Sequence, residues 1–224
     1  MIKNISNLGD AALYCDFGIE VNKQINSEVI KYFNTIKEKN IEGINNLTPS
    51  YNKLIISYDL RVTNFKEIKD KIEKLDVGEA LKINNKKLEI PVCCDASFSL
   101  DMARLENKLN LTKEKILENF FNKEFFCYMT GFIAGMPFLG DLDENMRAQR
   151  LETPRVKVPK GSVGITEQFA DIYTFESPGG WNIIGNTPLE VFDSTKEIEP
   201  NLINPGDTGK LKQITLDEYK NYNE

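Results

Sequence analysis

Gly131-Phe-Ile-Ala-Gly-Met-Pro-Phe-Leu-Gly140, Arg155-Val-Lys-Val-Pro-Lys-Gly-Ser-Val-Gly164 and Ser177-Pro-Gly-Gly-Trp-Asn-Ile-Ile-Gly-Asn-Thr-Pro188 are the runs that decide the fold. Glycine or proline recurs every few residues, with short β-branched and aromatic runs between, and Leu189-Glu-Val-Phe-Asp193 continues the pattern. This spacing leaves no room for a long helix. It predicts short strands turning sharply around a closed β-structure. Several of these glycines adjoin polar groups and the only tryptophan, Trp181. A backbone lacking Cβ can approach a ligand closely there.

Upstream the pattern changes. Ala11 to Phe17 reads as a strand after a Gly9-Asp10 turn, and Ile25, Val29, Tyr32, Phe33 and Ile36 form an apolar helical stripe. A strand near Ile41 to Leu47, a clearer one at Leu54 to Tyr58, and a helix carrying Phe65, Ile68, Ile72 and Leu75 follow. The order predicts a two-layer α/β sandwich over residues 1–80 with both helices on one sheet face. Residues 76–87 read as a linker, and Leu88-Glu-Ile-Pro-Val-Cys93 opens a second domain over 88–224. Met102, Leu105 and Leu109 mark a short helix. Thr112 caps another that carries Ile116, Leu117 and Phe120. Phe120, Phe121, Phe125 and Phe126 read as core. The polar end, Thr215 to Glu224, reads as fraying. The fold class is α+β, a sandwich followed by a barrel.

The composition narrows the function. The 224 residues are 41% hydrophobic and 28% charged with a net charge of −6, as expected of a globular chain with no affinity for nucleic acid or anionic membrane. No apolar run reaches spanning length and the start resembles no signal peptide, so a cytoplasmic location is expected. Histidine is absent, which removes every Ser-His or Cys-His catalytic unit and histidine metal site within the chain. Cys15, Cys93, Cys94 and Cys127 match no zinc spacing and read as reduced and mostly buried, so no metal is expected.

The candidate binding groups surround the glycine-rich runs. Arg155 stands at the mouth of a strand and Arg150 on the loop before it. Two guanidinium groups there suit bidentate recognition of a small acidic substrate. Ser162, after Gly161, offers a hydroxyl and amide N–H groups for an anion, in a positioning role. Trp181 is either a pocket wall or a buried anchor. Glu176 and Asp171 flank the Tyr173 strand, and either becomes a general base if desolvated. The catalytic residues themselves are not identified. The Gly161–Gly164 segment lacks the Gly-Lys-Ser/Thr ending of a P-loop, so no nucleotide site of that kind is encoded.

Gly131-Phe132, Gly135, Pro137-Phe-Leu-Gly140, Pro154-Arg155, Val158-Pro159, Gly161-Ser-Val-Gly-Ile165, Ser177-Pro-Gly-Gly-Trp181, Ile184-Gly185, Thr187-Pro188 and Phe192 together resemble the family of the 5-oxoprolinase B component, the kinase inhibitor KipI and allophanate hydrolase subunit 1. Weaker similarity, including Gly9-Asp-Ala-Ala-Leu13 and Ser57-Tyr-Asp59, runs through the whole chain. The resemblance implies a cyclophilin-like barrel and the work of a B-type component in converting 5-oxoproline to glutamate. It also implies ATP acting through the complex, with a C-type cyclophilin-like partner and a LamB/YcsF-type subunit. A KipI-like inhibitor of a histidine kinase and a urea amidolyase-type subunit are the alternatives it implies. The sequence departs from the family at Phe120, where a histidine is usual. It departs again at Phe169-Ala170-Asp171, where a Gln-Thr-Gly word is usual, and these side chains are expected in a half-buried pocket.

Overall fold

The computed structural model describes residues 1–78 and 85–222, and the chain forms two compact units, Met1–Asn84 and Asn85–Glu224. The centre of the expected 76–87 linker, residues 79–84, lies outside the described residues.

In the first unit β1 (Asn4–Asn7), β2 (Ala12–Asp16), α1 (Lys23–Lys39), β3 (Ile44–Pro49), β4 (Lys53–Tyr58) and α2 (Phe65–Glu73) follow in that order. The sheet runs β1-β2-β4-β3 and is antiparallel throughout. Asn22 starts α1 by accepting the Ile25 N–H at 2.9 Å, and Asn64 starts α2 on Glu67 at 3.1 Å. Alternation along β2 and β4 puts Leu13, Cys15, Leu54 and Ile56 on one face, where Val29 and Ile36 of α1 and Ile68 and Ile72 of α2 join them. Both helices therefore cover the same side of the sheet.

The second unit opens with β5 (Lys87–Cys93), then α3 (Met102–Leu109), α4 (Lys113–Phe121), β6 (Glu124–Thr130) and β7 (Pro137–Gly140). A 3₁₀ turn at Glu144–Met146 precedes β8 (Arg155–Val158), β9 (Ser162–Thr166), β10 (Phe169–Ile172), β11 (Ser177–Gly179), β12 (Asn182–Asn186), β13 (Thr208–Ile214) and α5 (Leu216–Lys220). Seven strands close into a barrel in the order β10-β7-β6-β13-β5-β12-β9, while β8 and β11 form a separate two-stranded ribbon. The parallel pairing of β13 with β5, from Thr208 opposite Lys87 to Ile214 opposite Cys93, brings the last strand beside the first of this unit.

Side chains fill the barrel. Ile90, Val92, Phe125, Cys127, Leu139, Val163, Ile165, Ala170, Ile172, Ile184 and Leu211 belong to one buried cluster, which α3 and α4 extend with Leu105, Ile116 and Phe120. Phe120 is fully buried and packs on Phe121 and Phe125 at 5.3 and 5.2 Å between ring centres. All four cysteines are buried free thiols. The end of the chain is more ordered than its polar composition predicts. Thr215 and Glu218 form a reciprocal capping box at the start of α5. Tyr219 then stacks at 4.6 Å on Phe98 and donates to Asn186 Oδ1 at 2.7 Å. Of this terminal stretch, residues 223–224 lie outside the described part.

Removing the Phe120 ring deletes buried area that no neighbour can replace. Phe120→Ala should lower the free energy of unfolding by about 3–5 kcal/mol, measured by urea denaturation. A loss below about 1 kcal/mol would mean that α4 does not hold the barrel as described.

Candidate functional site

Strand alternation sends half of each barrel strand outward. Beside the inward Val163, Ile165, Ala170 and Ile172 stand the outward Gly164 and Asp171. Asp171 pairs across the sheet with Gly164 on one side and Phe138 on the other. On this outer face a second cluster forms from Met136, Val158, Tyr173, Trp181 and Ile183, with Ile133, Phe138 and Phe169 packed against it. Val158 belongs to the ribbon, so the ribbon covers part of the face.

Asp171 is the chemical centre of this surface. It is 0% exposed. Its Oδ1 accepts the Gly164 N–H at 3.0 Å, and its Oδ2 meets no hydrogen-bond partner. Glycine at 164 makes the arrangement possible, because a Cβ there would lie 2.6 Å from Oδ1 and 3.0 Å from the Trp181 Cβ. Burial pushes the carboxyl well above the ordinary carboxylate range, against the opposing pull of the Gly164 N–H and the Arg150 charge. The proton is retained because an ionised carboxylate here would lose its water without gaining a close cation. Tyr173 beside it is 1% exposed, and burial likewise pushes its phenol up. Its hydroxyl lies where a side chain on Gly179 would stand, which accounts for glycine at that place.

The loop before β8 brings Arg150 to the same surface. The Gln149 carbonyl accepts from Asn182 Nδ2 at 3.1 Å and from Arg104 at 3.5 Å, and Leu151 N–H donates to the Gly180 carbonyl at 2.7 Å. Asn182 is itself fixed, donating to the Ile165 carbonyl at 3.0 Å and accepting from Arg104. Between these anchors the Arg150 side chain runs along Gly180, with Nε and Nη2 each 3.5 Å from the place a Cβ would occupy. Arg150 is exposed and makes no hydrogen bond or ion pair among the described residues.

The other expected residues divide. Arg155 opens β8 and donates from Nη2 to Asp101 Oδ1 at 2.5 Å, while its Nη1 is buried without a partner. Asp101, 5% exposed, also accepts the Ile183 N–H at 2.7 Å. Arg155 thus ties β8 to Asp101 at the start of α3, which Asp101 in turn joins to β12, and Arg155 keeps part of its guanidinium uncommitted. The charges of both arginines act on Tyr173. Trp181 is 7% exposed, lies in the buried outer cluster and meets Phe138 edge-on at 5.5 Å, so of its two expected roles it takes that of the buried anchor. Ser162 is buried, its N–H bonded to the Pro159 carbonyl at 3.2 Å and its carbonyl to the Tyr173 N–H at 2.9 Å. Glu176 is exposed and paired with Lys157 at 2.8 Å.

Phe120, Phe169 and Ala170 do not share a pocket. Phe120 and Ala170 are fully buried in the barrel cluster, and only Phe169 borders the outer one. Their spacing in the sequence crosses the barrel wall, which separates them. The sequence carries no local signal for Asp101, Arg104 or Asn182, which act across long stretches of chain. Among the described residues no group of three or more Cys, Asp or Glu gathers for a metal.

A seven-stranded closed barrel in an α+β chain, with a buried carboxyl and two arginines on one outer face, is a carboxyltransferase-type fold. The chain belongs to the family described as carboxyltransferase domain, subdomain C and D, whose model matches residues 3–203. The B component of 5-oxoprolinase from Bacillus subtilis is 32% identical over 98% of this chain and 96% of its own length. The crystal structure of TTHA0988 superposes with a TM-score of 0.81 at 27% identity over 91% of this chain, which spans only 40% of that longer protein. The K. lactis urea amidolyase shares the fold at a TM-score of 0.77 and 19% identity, with 96% of this chain matched to 15% of that one.

Two outcomes check this geometry. Arg155→Ala strands the buried Asp101 charge, so it should destabilise by about 3 kcal/mol, the low end for a broken pair because Arg155 is partly exposed. Adding Asp101→Asn should recover part of that loss in denaturant unfolding. Asp171 holds a proton in the folded state that the unfolded chain releases, so its contribution to stability is full below the ordinary value of 3.8 and falls as pH rises towards the folded value. Asp171→Asn carries no such proton. Its stability relative to the parent should therefore rise as pH increases above the ordinary value of 3.8, and a flat difference would place Asp171 in the ordinary range.

Proposed function

We propose that this chain is the B-type component of an ATP-dependent 5-oxoprolinase, which opens the ring amide of 5-oxoproline to glutamate together with partner subunits. The observation that carries the reading is the end-to-end likeness to the Bacillus subtilis protein, with 98% of one chain matched to 96% of the other. The outer face fits the substrate's chemistry. 5-Oxoproline is a small ring bearing one carboxylate. Arg150 presents an uncommitted planar fork for that carboxylate, and Trp181 and Phe138 offer an apolar wall for the ring.

The segment from Lys160 to Gly164 does not fit a nucleotide phosphate. The Gly161, Ser162 and Gly164 N–H groups are committed to Tyr173, Pro159 and Asp171, and Lys160 is paired with Glu190 at 2.6 Å. The turn at Lys160–Gly161 thus leads into β9 with the Gly161 and Ser162 N–H groups already paired. ATP, held elsewhere in the complex, supplies the driving force for opening an unstrained amide. A C-type cyclophilin-like partner and a LamB/YcsF-type subunit complete the assembly. With no histidine in the chain, the part left to it is to bind and orient the substrate.

The purified chain alone should release no glutamate from 5-oxoproline and ATP, and its complex with co-expressed partner subunits should. In that complex Arg150→Ala should raise KM about tenfold to a hundredfold with an unchanged melting temperature. Turnover by the single chain, or none by the assembled complex, would overturn the reading.

A further inference from the structure

Two polar groups on the outer face are left incomplete, and they are complementary. Asp171 Oδ2 is buried without a partner, and the exposed Arg150 guanidinium has none among the described residues. A fully buried polar atom with no partner is rare in a finished fold. The sheet itself does not require a carboxyl at this position, since its cross-strand neighbours are Phe138 and Gly164. The two side chains are close enough for the Arg150 charge to act on Asp171, yet they form no ion pair. The strip of chain beside them is glycine only. Gly179 backs onto the Tyr173 hydroxyl, which fills the space a side chain would take, and Gly180 borders the Arg150 guanidinium, so this strip adds no side chain of its own between the two groups.

We propose that Asp171, as a neutral carboxylic acid, donates its Oδ2 hydrogen to one oxygen of a ligand carboxylate whose other oxygen is held by Arg150, making this face a two-point reader of small carboxylic acids. The proposal rests on reading this face as the substrate site. The Gly164 N–H occupies Oδ1, which orients the carboxyl and leaves Oδ2 as the donor. An acid–carboxylate hydrogen bond is charge-assisted, and the guanidinium neutralises the ligand beside it. Ionising Asp171 would place a second negative charge against the ligand and expel it. The ionisable groups that act on Asp171 are Arg150 from the 149–151 loop and Tyr173 from its own chain segment. Arg155, held by Asp101, acts on Tyr173. Burial pushes the Tyr173 phenol up, further from neutral pH.

The test is calorimetric titration of the full chain with 5-oxoproline and with 2-pyrrolidinone, the same ring without its carboxylate. The parent, Asp171→Asn, Asp171→Ala and Arg150→Ala are compared at pH about 6 and about 9. The parent should bind 5-oxoproline and not 2-pyrrolidinone, and should bind more weakly at the higher pH. Asp171→Asn keeps a donor and an acceptor in place, so it should bind within about threefold of the parent and lose the pH dependence. Asp171→Ala and Arg150→Ala should each lose about tenfold or more. Thermal melts establish that each variant is folded. Loss of binding in Asp171→Asn at both pH values would show that the ionised form is needed, and undiminished binding in Asp171→Ala would remove Asp171 from the site. Either result overturns the proposal. Absence of any 5-oxoproline binding by the parent also overturns it, while glutamate release by the complex would leave the 5-oxoprolinase reading intact. The expected binding pattern without glutamate release would support this proposal and sink that reading.

Discussion

Closing seven strands into a barrel leaves an interior that apolar side chains occupy. That constraint settles where chemistry can occur in the second unit. Inward positions of β9, β10 and β12 must be apolar, and they are Val163, Ile165, Ala170, Ile172 and Ile184. Polar function is pushed to the outward positions, which the pleat delivers one residue away. The outer face is then enclosed by the ribbon, by Trp181 and by Tyr173, so the groups there work at low dielectric although they sit outside the barrel.

On that face the decisive contact is between Asp171 and Gly164. Removing one Cβ lets a carboxyl lie flat against a strand, take the backbone N–H, and remain out of water. Desolvation then keeps the acid protonated, which turns an acceptor-only group into a donor. The arginines complement it differently. Arg155 is largely spent on Asp101, and Arg150, fixed at its backbone by Asn182 and Gly180, keeps its fork free. One is a strut with a spare N–H, and the other presents an exposed guanidinium, unpaired among the described residues.

Much of the fold was legible because its signals are local. Stripes such as Val29 and Ile36 or Ile68 and Ile72, and caps such as Thr112 on Lys115, depend on neighbours a few residues apart. The glycine-rich runs marked the barrel for the same reason. The site was only half legible. Arg150, Arg155 and Trp181 stood out by type, but Asp101 reaches Arg155 across 54 residues and Arg104 reaches Asn182 across 78, and no sequence pattern records either. Phe120 lies in the core as its helix predicts, but grouping it with Phe169 in one half-buried pocket failed because distance along the chain says nothing about which side of a barrel wall a residue takes. The capped α5 was missed because Thr215 and Glu218 read as polar tail unless their spacing is recognised as a capping box.

The account stands on one protonation state. Selective carbon-13 labelling of aspartate, with Asp171 assigned by comparison with Asp171→Asn, allows its carboxyl resonance to be followed through a pH titration of the folded chain. The account expects the Asp171 resonance to keep its protonated position through the range in which the exposed carboxylates titrate, and to move only at distinctly higher pH. A resonance that moves with theirs, near the ordinary value of 3.8, would show an ionised Asp171 and contradict the account.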